Sequence, residues 1–159
     1  MKKLLYAGSF DPFTNGHLDV INQARETYKD KQIIIGIGIS EKKTRRFDRD
    51  KMKSAIEKAT QCKCVVYNGH TGAEALRLEC YALLRGMKDT YDLEYEVTVA
   101  EFNKKNYGLD TIYFRPSVLE IADISSTWVK ELLDSGKVNE IKSLVPKEVF
   151  EVIIKNQTV

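Results

Sequence analysis

Gly8-Ser9-Phe10-Asp11-Pro12-Phe13-Thr14-Asn15-Gly16-His17 follows directly on a short apolar run, Leu4 to Ala7. The run reads as a β-strand that breaks at Gly8 and restarts as a helix at the Gly16-His17 pair. Such a junction brings together the backbone N–H groups of a tight turn, a helix N-terminus with partial positive charge, and an imidazole in the first helical turn. All three favour an anion. Gly16 allows close backbone approach to a phosphate, and His17 can donate to a phosphoryl oxygen. Asp11 is expected to fix the loop through Asx-type hydrogen bonds and not to act as a base, while Pro12 stiffens the turn.

Outward from this segment, strand and helix signals alternate. Strands are expected at Lys3–Ala7, Gln32–Ile39, Lys63–Tyr67, Tyr81–Leu84 and Thr111–Phe114. Helices are expected at Leu18–Tyr28, Arg49–Thr60, Ala73–Glu79, Thr90–Lys105, Ser126–Leu133 and Lys147–Lys155, with Pro146 placed to start the last. In the fourth helix Tyr91, Tyr95, Val99 and Phe102 fall in register. Five apolar strands separated by helical crossovers predict an α/β fold with a single doubly wound, five-stranded parallel sheet and C-terminal helices. Residues 1–159 are expected to form one domain. Ligands of such sheets bind beyond the C-terminal ends of the strands. Residues 8–17, 40–47, 85–88 and 116–127 all lie there. A dinucleotide-binding oxidoreductase would need GxGxxG at the first turn, which offers only Gly8 and Gly16.

Charge and composition exclude several classes. The 25 basic and 23 acidic residues leave a net charge of +2, too balanced for a surface that coats nucleic acid. The N-terminal apolar run ends after about four residues, short of the ~7–15 of a secretory signal, and no run approaches the ~20 of a membrane span. A cytoplasmic protein with no nucleic-acid or membrane partner is expected. Cys62, Cys64 and Cys80 lack zinc-site spacing and are expected to be reduced structural thiols.

Three further segments carry chemistry. Ser40-Glu41-Lys42-Lys43-Thr44-Arg45-Arg46-Phe47 puts five charged residues after an apolar strand. It suits either a solvated loop or a mobile clamp on phosphate. Arg85, ending a buried strand before Gly86, is expected to point into the cleft, with Lys88 a second cation close by. Asp92, Glu94 and Glu96 then orient these cations, cap the following helix or face solvent. Ser125-Ser126-Thr127 opens a helix with three hydroxyls, one of which capping alone would explain. Trp128 is expected in the core.

Taken together these segments resemble the phosphopantetheine adenylyltransferase family of the nucleotidyltransferase superfamily. The resemblance rests on Gly8-Ser9-Phe10-Asp11-Pro12-x-Thr14-x-Gly16-His17, the lysine loop before Phe47, Leu84-Arg85-Gly86 with Asp92-x-Glu94-Tyr95-Glu96, and Ile124-Ser125-Ser126-Thr127-x-Val129-Lys130. It runs over nearly the whole chain. It implies a Rossmann-like nucleotidyltransferase fold and transfer of the adenylyl group of ATP to 4′-phosphopantetheine, giving dephospho-CoA and pyrophosphate by direct in-line displacement. Other acceptors, or a protein that only binds a nucleotide or CoA, are the alternatives. By the same resemblance His17 and Lys43 are catalytic, with Lys42 the register alternative for the lysine. Ser9, Lys43, Thr71 and Arg85 then bind the acceptor, and Ser9, Phe10, His17, Gly86, Lys88, Glu96, Ser125, Ser126 and Thr127 bind ATP. Mg²⁺ is expected to ride mainly on the ATP phosphates, with no protein metal site, and the family implies a homohexamer. Three positions depart from the family pattern. Lys88 stands where arginine is usual, Thr127 replaces a third serine, and residues 68–72 lack the expected apolar residues.

Overall fold

The computed structural model describes residues 1–88 and 91–157. Asp89, and Thr90 at the expected start of the fourth helix, lie outside the described residues. Five strands, β1 (Lys3–Gly8), β2 (Gln32–Ile39), β3 (Lys63–Asn68), β4 (Cys80–Gly86) and β5 (Asp110–Phe114), form one sheet in the order β3-β2-β1-β4-β5. Every pairing is parallel. The chain winds outward from β1 to β3, then returns to lay β4 against the other side of β1. The switch of direction therefore falls between β1 and β4, where doubly wound sheets open a crevice. The predicted α/β architecture is the one observed.

Among the described residues eight helices connect and follow these strands: α1 (Asn15–Thr27), α2 (Arg49–Thr60), α3 (Thr71–Arg77), α4 (Tyr91–Tyr107), α5 (Leu119–Ala122), α6 (Ser126–Asp134), α7 (Val138–Ile141) and α8 (Lys147–Gln157). Helix α1 begins three residues before the expected Leu18 because Thr14 caps it. The Thr14 hydroxyl accepts from the Gly16 N–H at 3.2 Å. Helix α2 starts where expected, with Asp48 accepting from the N–H groups of Asp50 and Lys51. The two four-residue helices α5 and α7 are too short to show an apolar period, and the sequence gives no sign of them.

Side chains alternate across β1. Leu4 and Tyr6 join the larger core with Ile21, Met52, Ile56, Val129 and Val149, whereas Leu5 and Ala7 join a smaller one with Ala75, Leu78 and Leu109. Trp128 is exposed, correcting the expected core position. It sits one place off the buried stripe Val129, Leu132 and Leu133 by which α6 packs. Helix α4 likewise turns Glu96 and Asn103 inward and leaves Leu93, Tyr95, Val97 and Phe102 exposed. All three cysteines are free and buried, and burial pushes Cys64 up to about 12 and Cys80 to about 11. Cys64 and Cys80 are thereby held as thiols and not as the reactive thiolate. Among the described residues no helix is long and apolar enough to cross a membrane.

Candidate active site

At the switch point a cavity of about 120 Å³ opens between the ends of β1 and β4. Gly8, Phe10 and His17 form one wall, Arg85, Gly86 and Lys88 the other, and Phe114, Pro116 and Ile121 close it from β5 and α5. Five of the residues assigned from sequence thus meet here: Phe10, His17, Arg85, Gly86 and Lys88. Gly16 also lines the cavity. A Cβ on Gly16 would lie 3.3 Å from the Ile124 carbonyl, so its bare backbone also lets α1 approach the segment leading into α6.

His17 is held by its own helix. Its Nδ1 accepts from the Thr14 backbone N–H at 2.9 Å, completing a capping box in which histidine stands where glutamate or glutamine is usual. A backbone N–H can only donate, so Nδ1 carries no proton and Nε2–H is the donor left to the cavity. Phe10 meets the ring edge-on at 4.9 Å and Phe13 lies 5.3 Å away. Burial among these rings, then the charges of Lys88 and Arg85, push the imidazole pKa down from 6.5 to about 3. His17 is therefore a neutral hydrogen-bond donor at physiological pH.

The shift has a consequence for stability. The unfolded chain protonates this ring below pH 6.5, whereas the folded protein does not until about pH 3. The unfolded state binds more protons in that window, so stability rises with pH across it and levels off above. A His17→Gln variant is expected to lose less stability on acidification than wild type, read as urea midpoints between about pH 4.5 and 7. Parallel curves for the two proteins would contradict the neutral assignment.

Arg85 divides the cavity described above from a second one of about 110 Å³. Its guanidinium donates to both Glu96 oxygens, at 2.7 and 3.2 Å, and to the Ala7 carbonyl at 3.0 Å. Glu96 is buried in α4 and lines the second cavity, on the far side of Arg85 from His17. Its first observable role is therefore to orient Arg85, one of the options its position in sequence left open. Thr71 lines the same cavity and its hydroxyl shares a hydrogen bond with the Tyr67 hydroxyl at 2.8 Å. Asn103 lies beside it. A Cβ on Gly72 would fall 2.1 Å from the Tyr107 ring, so this glycine is what lets α3 and α4 close on the cavity.

The remaining assigned residues stand around the cavities and do not line them. Ser9 is exposed on the turn, and Lys42 and Lys43 are exposed in the loop after β2. Ser125 caps α6, its Oγ accepting from the Trp128 N–H at 3.0 Å, and Ser126 Oγ donates to the Pro12 carbonyl at 2.7 Å. Thr127 is exposed. The hydroxyl run is thus tied to the first motif through Pro12. Lys88 Nζ donates to the Ile124 carbonyl, which links the end of β4 to the same segment.

Asp11 does fix a loop, but not its own. Its oxygens accept from the backbone N–H groups of Arg46 at 2.8 Å and Phe47 at 2.9 Å. Sequence reasoning missed Asp19 and Arg45. Asp19 lines the cavity while accepting from Gln23 Nε2 at 3.1 Å, from the Ser117 N–H at 2.9 Å and from the Ser117 hydroxyl. It fastens the segment after β5 to α1. The only local signal was a carboxylate two residues after His17.

These donors are a neutral imidazole, two cations and helix N-termini, a set that holds anions. The carboxylates among the lining residues, Asp19 in the first cavity and Glu96 in the second, are both engaged in hydrogen bonds. Among the described residues no three His, Cys, Asp or Glu side chains are grouped to hold a metal ion.

The cytidylyltransferase-like family model matches residues 5–132, a span that contains both cavities' strands and the hydroxyl run. The phosphopantetheine adenylyltransferase of Helicobacter pylori is 34% identical over 161 residues, covering 98% of this chain and 99% of that protein. That of Phocaeicola vulgatus is 38% identical over 141 residues, covering 86% and 91%. Among solved structures, TmcAL of Thermotoga maritima bound with alpha-thio ATP superposes with a TM-score of 0.72 at 15% identity. That match covers 99% of this chain and 56% of TmcAL, and it speaks for the fold alone. By sequence over almost its full length, this chain belongs to the cytidylyltransferase-like family and, within it, to the phosphopantetheine adenylyltransferases.

Proposed function

We infer that the protein transfers the adenylyl group of ATP to 4′-phosphopantetheine, releasing pyrophosphate and forming dephospho-CoA. The observation that carries the reading is Arg85, which lines two neighbouring cavities at the switch point. Two adjoining pockets that share a cation suit a reaction between two phosphorylated substrates. An oxygen of the acceptor phosphate attacks the α-phosphorus in line, and the bond from that phosphorus to the oxygen bridging to the β-phosphate breaks. The nucleophile is already an anion at neutral pH, so neither a general base nor a covalent enzyme intermediate is required. Catalysis rests on alignment and on stabilising charge at the α-phosphate oxygens.

In this reading His17 Nε2–H and Lys43 stabilise that charge. Ser9, Lys43, Thr71 and Arg85 receive the acceptor, with Lys42 the alternative lysine. Ser9, Phe10, His17, Gly86, Lys88, Glu96, Ser125, Ser126 and Thr127 serve ATP, Glu96 acting through Arg85. Mg²⁺ would be carried mainly by the ATP phosphates, where it would offset part of their charge. Residues 1–159 act as one domain in the cytoplasm, where three unpaired thiols are at home. The exposed apolar residues of α4 would serve a homohexamer, which sedimentation of the pure protein tests.

The first experiment is incubation with Mg-ATP and 4′-phosphopantetheine, following pyrophosphate and dephospho-CoA together. Both products must appear in equal amounts. ATP bound with neither product would overturn the assignment. The Asp19 clamp adds a sharper expectation: Asp19→Asn turns one of the two oxygens that accept from Ser117 into an amide donor and loosens a wall of the cavity lined by Phe10, His17, Gly86 and Lys88, which serve ATP in this reading. An unmade buried hydrogen bond costs about 1–3 kcal/mol, so KM for ATP is expected to rise roughly tenfold while KM for the acceptor stays within about twofold. Equal rises in both would mean that Asp19 supports the fold generally.

A further inference from the structure

The loop from β2 to α2 carries the lysines, and its far root is fastened to the phosphate-binding turn. Arg45 is the centre of the fastening. Its Nη1 donates to the Ser9 carbonyl, its Nη2 to the Phe10 carbonyl at 3.3 Å and its Nε to the Phe47 carbonyl at 3.2 Å. The guanidinium also lies 3.8 Å from the Asp11 carboxylate, which itself holds the backbone N–H groups of Arg46 and Phe47. Both side chains are largely buried, 16% and 11% exposed. An arginine committed to three main-chain carbonyls does not behave as a free phosphate clamp. Its fork geometry is being used to join two backbone segments 35 residues apart in sequence.

The turn explains why a fork is needed there. Phe10 adopts φ 46°, a left-handed conformation that a bulky residue keeps only when its surroundings enforce it. The carbonyls that Arg45 takes belong to the peptides on either side of Phe10. In a planar trans peptide the N–H points opposite to the carbonyl. Holding the Ser9 and Phe10 carbonyls therefore turns the N–H groups of Phe10 and Asp11 away from the lysine loop. On the loop itself, residues 41–44 are exposed between Ser40, whose carbonyl accepts from the Lys43 N–H at 3.2 Å, and the anchored Arg45. Lys43 thus sits on a short span whose root is pinned to the turn that bears Ser9.

We propose that Arg45 is a positioning residue for the acceptor phosphate, holding the lysine loop and the Ser9–Phe10 turn as one unit. This rests on the adenylyl-transfer reading, in which Ser9 and Lys43 both receive that phosphate. The charge of Arg45 matters less than its fork, because its donors are all directed to carbonyl oxygens.

The test uses the full chain with Arg45→Met and Arg45→Lys, measuring equilibrium binding of 4′-phosphopantetheine and of ATP, and hydrogen exchange over residues 9–13 and 40–48. Arg45→Met is expected to weaken 4′-phosphopantetheine binding at least about tenfold, to weaken ATP binding by a clearly smaller factor through the Ser9–Phe10 turn that both substrates use, and to speed exchange in both segments while β2 stays protected. Arg45→Lys keeps the charge and loses the fork, so it is expected to recover little of the loss. Should Arg45→Met not fold, Arg45→Lys carries the test alone, with a loss of at least about fivefold expected. Unchanged acceptor affinity, equal losses for both substrates, or full recovery in Arg45→Lys would each overturn the proposal. If wild type binds 4′-phosphopantetheine and the variants bind it equally well, the function stands and only this role of Arg45 falls. If wild type does not bind it, the function itself has failed and the proposal goes with it.

Discussion

Replacing His17 with alanine is expected to lower kcat by about 10²–10³-fold, the usual effect of removing one preorganised donor from a developing negative charge. The donor is well prepared. Nδ1 is occupied by the Thr14 N–H and the low pKa keeps the ring neutral, so Nε2–H is present throughout the physiological range. Because the donor acts mainly as charge builds on the α-phosphate, KM values are expected to move less than kcat. The structural cost is separate and small. His17→Ala leaves the Thr14 N–H without its acceptor, a capping loss of about 1 kcal/mol, which lowers Tm by roughly 2–4 °C in a chain of this size. Steady-state kinetics beside a thermal melt separates the two effects. A folded variant with near-wild-type kcat would remove His17 from the reaction.

Glu96→Ala is expected to have the largest combined effect on stability and activity. The carboxylate is 5% exposed and accepts from Nε and Nη2 of Arg85, whose side chain is itself 34% exposed. Breaking a fully buried pair costs about 3–5 kcal/mol, and the partial exposure of Arg85 lets water replace some of the contact, so about 2 kcal/mol is expected here. Arg85 would keep its bond to the Ala7 carbonyl but lose the partner that fixes its plane. Since Arg85 lines both cavities, kcat/KM is expected to fall by about 10–100-fold for ATP and acceptor alike. Glu96→Gln retains one acceptor oxygen and should recover part of the loss. Denaturant unfolding and kinetics with each substrate varied in turn are the measurements. Loss of stability with unchanged kinetics would confine Glu96 to a structural role.

The two variants probe parts of the site that differ in how openly they stand in the sequence. His17 belongs to a strand–turn–helix segment whose whole geometry is set by neighbours within ten residues. Thr14 caps, Gly16 clears space and His17 closes the capping box, so the local motif and the local structure coincide. The same locality makes β2 and α2 appear with the boundaries expected of them, one from a continuous apolar run and the other from Asp48 and an apolar period. Arg85 was legible for a related reason, since a cation ending a buried strand must face the crevice where the sheet reverses.

What partners these residues was not legible. The family resemblance singles out Glu96 for ATP, but nothing near it in the chain shows that it, and not Asp92 or Glu94, holds Arg85; that choice was made by α4 crossing the end of β4. Helix α4 has an apolar side that looks like a packing face, yet Phe102 is exposed and Tyr95, though it lines the second cavity, is exposed as well, because the inward side serves Arg85 and that cavity. Trp128 likewise lost the interior to Val129, one residue along, once the N-cap at Ser125 set the rotation of α6. Asp19 meets Ser117, and Arg45 meets Ser9 and Phe10, across 98, 36 and 35 residues of chain. The sequence by itself determined the alternation of strands and helices, the parallel sheet and the anion-binding turn, because those follow from periods, caps and turns within a few residues. Tertiary structure alone decided which carboxylate orients Arg85, which arginine anchors the lysine loop and which aromatic side chains stay outside, because these contacts form only after distant segments have been brought to the same edge of the sheet.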